Sequence, residues 1–200
     1  MDQQEQVSLE LEEVDMYVLF ARMFAHIARK VEQACGEKGI EAVRAGVRSF
    51  GEERGRHIAA RAAAQGHAAD ARHYLSCYDM GRSGYFHSRD AVSENQVEQD
   101  FDKCVFAETW MRDGCERWGI HYCDIIDPAI AHGYHKEMEC IHDRHFFKDG
   151  RCHFKFILNQ KEVESDDWHY AGRAVVYAAR LYPNAGRLCR QYPPCTGDGL

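Results

Sequence analysis

Apolar residues recur at three- and four-residue spacing from Leu9 to about residue 34, at Leu11, Val14, Val18, Phe20 or Ala21, Phe24, Ala25, Ala28 and Val31, with no proline among them. That period predicts one long amphipathic helix closed near Gly36. A second helix is predicted over Ile40 to Ala64, carrying Val43, Val47, Phe50, Ile58 and many alanines. Gly46, Gly51 and Gly55 weaken it as a helix but permit close approach of another backbone or a ligand. Residues 67–93 lose periodicity and predict a partly helical connection. From Glu94 to Val105 the pattern alternates, with Val97, Gln99, Phe101 and Lys103 on one side and Glu98, Asp100, Asp102 and Cys104 on the other, which predicts a strand.

Phe106 to Trp118 and Ile120 to about Tyr134 again have helical character. Glu137 to Phe147 and Arg151 to Leu158, separated by Lys-Asp-Gly, predict a β-hairpin whose second strand turns Cys152, Phe154 and Phe156 toward the core. Asp166 or Asp167 is a good N-cap for a last helix that Pro183 and Asn184 end near Tyr182. The expected fold is α+β, with long N-terminal helices and a C-terminal helix packed around a small antiparallel sheet. A single domain over 1–200 is expected, with residues 1–8 and 186–200 as poorly ordered tails.

Composition narrows the class of partner. The chain has 25 basic and 32 acidic residues, net charge −7, with the basic ones interspersed rather than gathered into a stripe. That argues against nucleic acid as a partner. The acidic start lacks a basic and apolar leader, and no apolar run reaches bilayer length, so no membrane partner and a cytoplasmic location are expected. The nine cysteines do not form a compact secreted framework, which favours reduced thiols and leaves the redox state of Cys189 and Cys195 open.

Candidate chemistry gathers between Cys104 and Phe156. On a continuous helix Cys123 and Asp127 stand four residues apart on a face shared with Ile126 and Ile130. A carboxylate there fits a buried general base or the partner of a cationic substrate, with Cys123 as nucleophile or pocket wall. Pro128 offers a plainer account, in which Asp127 caps a new short helix, and a helix N-terminus there would also activate the thiol. Cys104 and Cys152 are by default buried packing, and become a thiol-lined pocket or soft metal site if they converge on Cys123. Trp110 and Tyr122 are core aromatics or a stacking platform for a flat cation. Arg54 and Arg56 are solvated helix charges or a clamp for a substrate carboxylate. His132 and His135 are weak metal candidates, because their spacing matches no established zinc motif, and the cofactor requirement stays unknown, with a divalent metal left open.

Taken in order, the segment GEERGRHIA, Cys104 with the aromatic-rich helix after it, Gly119 leading into YCDIID, and a hairpin whose turn glycine Gly150 precedes CHFKF span about residues 40–158. That series resembles the L-2-amino-thiazoline-4-carboxylic acid hydrolase family. The resemblance implies hydrolytic opening of a small cyclic amidine, by attack on the ring carbon between nitrogen and sulfur with the sulfur leaving. It implies an anion for the amidinium, or a general base, at Asp127, a cation for the carboxylate at Arg54 or Arg56, and Cys123 as nucleophile, unless water attacks directly with Asp127 as base. A different class, a non-catalytic small-molecule or metal-binding sensor, would use the same Cys- and His-rich pocket. A small-molecule substrate is the expected partner, and a homo-oligomer is left open.

Overall fold

The computed structural model describes residues 15–80 and 84–158. The predicted last helix and the cysteines at 189 and 195 lie outside them. Helix α1, Met16–Cys35, starts where the Asp15 carboxylate accepts the Tyr17 N–H at 2.8 Å. It ends at Gly36, whose φ of 61° lets the chain turn directly into helix α2, Glu37–Ala64. A short helix α3, Ala71–Tyr74, precedes strands β1, Phe86–Val92, and β2, Gln96–Cys104. Helices α4, Val105–Arg112, and α5, Glu116–Tyr134, lead to strand β3, Met138–Arg144. The single turn of helix α6, Phe146–Asp149, then feeds strand β4, Cys152–Leu158. All strand pairs are antiparallel and the order is β1-β2-β4-β3, so the fold is α+β.

Three expectations are corrected. The connection over 67–93 contains β1, whose inward positions are Phe86, Ser88 and Asp90 rather than an apolar row. The predicted hairpin is interrupted by α6, and its first strand is shorter than expected. In β2 a register shift opposite His87 and Ser88 inserts one extra residue, so Cys104 pairs with Phe86 while Phe101 pairs with Ser88. That bulge reverses the alternation after Phe101 and returns Cys104 to the inner face with Gln99 and Phe101.

Helix α5 runs unbroken through Pro128. The proline lacks the N–H that would bond the Asp124 carbonyl, and packing against α2 compensates for it. A Cβ at Gly51 would lie 2.6 Å from the Ala129 Cβ. One at Gly55 would lie 2.5 Å from the Tyr134 nitrogen and closer still to the Ile130 carbonyl, and Gly133 is pressed against the Glu52 backbone in the same way. Two helices in backbone contact thus form the base of the molecule.

Over them, Phe20 and Phe24 of α1, Phe106 and Trp110 of α4 and Tyr122 of α5 build an aromatic cluster with centroids 5.3 to 6.0 Å apart. Trp110 is fully buried and its indole N–H donates to the Ala21 carbonyl at 2.7 Å. Trp110→Phe removes that bond and part of the ring volume, and is expected to lower stability by about 1–3 kcal/mol, read as a shifted urea midpoint at constant slope.

The outer face of the sheet is charged. Arg151 holds Asp100 through two bonds at 2.8 and 2.7 Å, and His153 lies between Asp143 at 2.5 Å and Glu98 at 2.7 Å. Hydrogen bonding to Asp143 raises the His153 pKa, and the imidazole ties β4 to both neighbours. No helix among the described residues is long and apolar enough to cross a membrane.

Candidate active site

Between the inner face of the sheet and helices α2 and α5 lies a cavity of about 330 Å³. Its helical wall carries Arg54, Tyr122, Cys123, Ile126 and Asp127, and its sheet wall carries Ser88, Asp90, Gln99, Phe101, Cys152 and Phe154. Cys104, Phe106, Tyr78 and Met80 also line it. Aromatic, aliphatic and sulfur surface dominates among the described lining residues, with a few polar groups set into it, which is the pattern of a small-molecule site.

Asp127 is the carboxylate of the helical wall. It projects from mid-helix, not from an N-cap, and no described residue donates a hydrogen bond to its carboxylate. Burial in apolar surroundings pushes its pKa up to about 6, with the Arg54 charge pulling the other way. A carboxyl with that pKa is largely ionised at neutral pH and still a competent proton acceptor.

Arg54, one helix layer away on α2, is buried with its guanidinium locked in place. Its Nε and Nη2 donate to the two oxygens of Asp79 at 2.8 and 2.6 Å, and the group lies 5.5 Å from the Tyr78 ring centre and 5.7 Å from that of Phe50. Burial works against its charge, but the Asp79 hydrogen bonds and nearby groups hold the pKa above the ordinary value.

The three cysteines do converge on the cavity, all as thiols. Burial pushes Cys104 up to about 11 and Cys152 up to about 12. Burial raises Cys123 too, and the neighbouring Cys104, Cys152 and Asp127 add to the effect. The helix N-terminus that would have activated Cys123 is absent, because α5 does not restart at Pro128. On the sheet wall Asp90 accepts from Ser88 Oγ at 2.6 Å and from Gln99 Nε2 at 3.0 Å.

Other sequence candidates fall elsewhere. Arg56 is exposed and pairs weakly with Glu52 at 4.0 Å. Trp110 is core and does not face the cavity. His132 Nδ1 lies 3.5 Å from Glu52 Oε1, while His135 Nδ1 accepts the Glu137 N–H at 3.2 Å. No three His, Cys, Asp or Glu among the described residues are grouped as metal ligands.

Tyr78, Asp79 and the Ser88-Asp90-Gln99 trio were not anticipated as site residues. One signal was available: Ser88 and Asp90 alternate on one strand and Gln99 stands between Val97 and Phe101 on the next, all at positions that would be apolar over a filled core. His142 stacks on Phe154 at 4.1 Å, and burial, reinforced by His145, pushes its pKa down to about 4.

A family model described as L-2-amino-thiazoline-4-carboxylic acid hydrolase matches residues 16–156, from the start of α1 into β4. No curated protein and no solved structure matches the chain.

Proposed function

The chain belongs to the L-2-amino-thiazoline-4-carboxylic acid hydrolase family, a family of hydrolases by name, and from that premise we propose that it opens a small thiazoline or related cyclic amidine in the cavity, with Asp127 as general base. The observation that carries this is the mid-helix Asp127 carboxylate, without a hydrogen-bond donor, on the wall of an apolar cavity of ligand size. Water loses a proton to Asp127 as its oxygen bonds to the ring carbon between nitrogen and sulfur. The carbon–sulfur bond then breaks with its electron pair on sulfur, which takes the proton back from Asp127 and leaves as a thiol, while the added hydroxyl gives up its remaining proton to solvent and becomes the carbonyl oxygen. Before attack the same carboxylate would hold the amidinium. Arg54 would offer its remaining N–H edge to the substrate carboxylate, and Tyr122 and Phe154 would flank a flat ring.

Cys123 is one helical turn from Asp127 and lines the same cavity, which supports a second route: Asp127 takes the thiol proton and sulfur attacks first. Cys123→Ala separates the two. Direct attack by water predicts kcat within about tenfold of wild type, whereas a covalent route predicts loss of roughly a thousandfold or more. The class itself is tested by incubating the protein with thiazolines, cyclic amidines and lactams and reading products heavier by one water. If none gains water, hydrolysis of this substrate class is wrong for the chain.

A further inference from the structure

Arg54 and Asp127 line one cavity, yet they are not bonded to each other. A buried carboxylate and a buried guanidinium in one apolar space would ordinarily pair, because neither finds water there. Here both donors on the Nε side of Arg54 go to Asp79 instead, and Phe50 and Tyr78 flank the guanidinium. The Arg54 side chain is 11% exposed and that of Asp79 26%, so Asp79 reaches in from the solvent side and holds the cation there.

What faces Asp127 makes the position of that cation decisive. From α2 it is Arg54; from α3 and the turn after it, Tyr74 and Tyr78; from α5, Tyr122 and Cys123. From the sheet it is Cys104, Cys140 and Cys152. Burial keeps all these phenols and thiols neutral, and His142 on the same wall is neutral as well. Arg54 is therefore the one cation at neutral pH among the described groups that act on Asp127.

We propose that Asp79 is a positioning residue that holds Arg54 off Asp127 and thereby keeps the Asp127 carboxylate free to accept a proton. The assignment rests on Asp127 being the proton acceptor of the reaction. Without Asp79 the guanidinium swings inward, pairs with Asp127 and turns the base into one half of a buried ion pair.

The test is a titration of Asp127 in the full chain without substrate, by carbon NMR of labelled aspartate, with the signal identified by its loss in Asp127→Asn. In Asp79→Asn, or in Asp79→Ser should the first variant not fold, the Asp127 midpoint is expected to fall by roughly one to two units. Asp79→Glu restores it. Arg54→Met raises the midpoint, and adding Asp79→Asn to Arg54→Met changes nothing more. In turnover, the acidic limb of kcat/KM moves down with the midpoint while the plateau drops. A midpoint unchanged or raised in Asp79→Asn overturns the proposal, as does a fall that persists in the double variant. Because the titration needs no turnover, absence of hydrolysis would sink the functional proposal and leave the role of Asp79 to be decided on its own.

Discussion

Asp127→Asn is expected to lower kcat/KM by about 100- to 10,000-fold while making the protein more stable at neutral pH. The first effect is the loss of a positioned proton acceptor with the shape of the site kept. In the wild type, kcat/KM should rise with pH and level off above about 6, where the carboxylate is ionised. The second effect follows from the same pKa, raised in the folded state from 3.8 to about 6. Between those values the folded chain binds more protons than the unfolded chain, so stability falls as pH rises through that window. Two units correspond to roughly 3 kcal/mol, reduced to about 1–2 kcal/mol by the solvent that the cavity admits. The asparagine variant escapes this loss, so its urea midpoint should exceed wild type at pH 7 and match it below pH 4. A variant that is both inactive and less stable at pH 7 would show that Asp127 is structural.

Gly55→Ala is expected to destabilise the fold by about 1–3 kcal/mol or more, although alanine is the better helix former by about 1 kcal/mol. The new methyl would overlap the Ile130 carbonyl and the Tyr134 nitrogen, both backbone atoms that cannot rotate away. The two helices must separate, and since Arg54 precedes Gly55 and Asp127 lies on the facing helix, the cavity widens with them. Gly46→Ala is the control: nothing lies within 4 Å of a Cβ there, so only the propensity gain remains. Thermal unfolding of the two variants should move in opposite directions, and movement in the same direction would mean that the α2–α5 contact does not set the spacing.

How far the chain could be read before folding depended on what each residue faces. Helices α1 and α2 were legible because, Arg54 apart, their buried positions are apolar or glycine and no proline interrupts them. Strand β1 was not, since Ser88 and Asp90 point into a cavity and break the alternation that marks a strand over a core. The orientation of Cys104 was misplaced by a bulge that no local composition signals. Pro128 argued for a helix start at Asp127, and the glycine contact with α2, distant in sequence, overrode it. In the site, Cys123 and Asp127 stood out as polar groups on an apolar helical face. Arg54 could have been told from Arg56 by the same argument, for it lies four residues from both Phe50 and Ile58. Asp79 could not, because its partner is 25 residues away and the segment around it has no period.

The position of β4 between β2 and β3 also governs how the protein comes into being. Among the described strands, β4 is the last to leave the ribosome and the one that joins the others, for within them β3 pairs with β4 alone and β2 gains its second edge from β4. Until residue 158 is made, the nascent chain holds the β1–β2 hairpin with an open edge, a lone β3, and a cavity with no wall at Cys152 and Phe154. Such edges recruit other chains, and the pairing that closes them spans more than fifty residues from β2 to β4. Synthesis arrested before Cys152 would therefore yield an adhesive chain with neither a closed sheet nor a complete cavity.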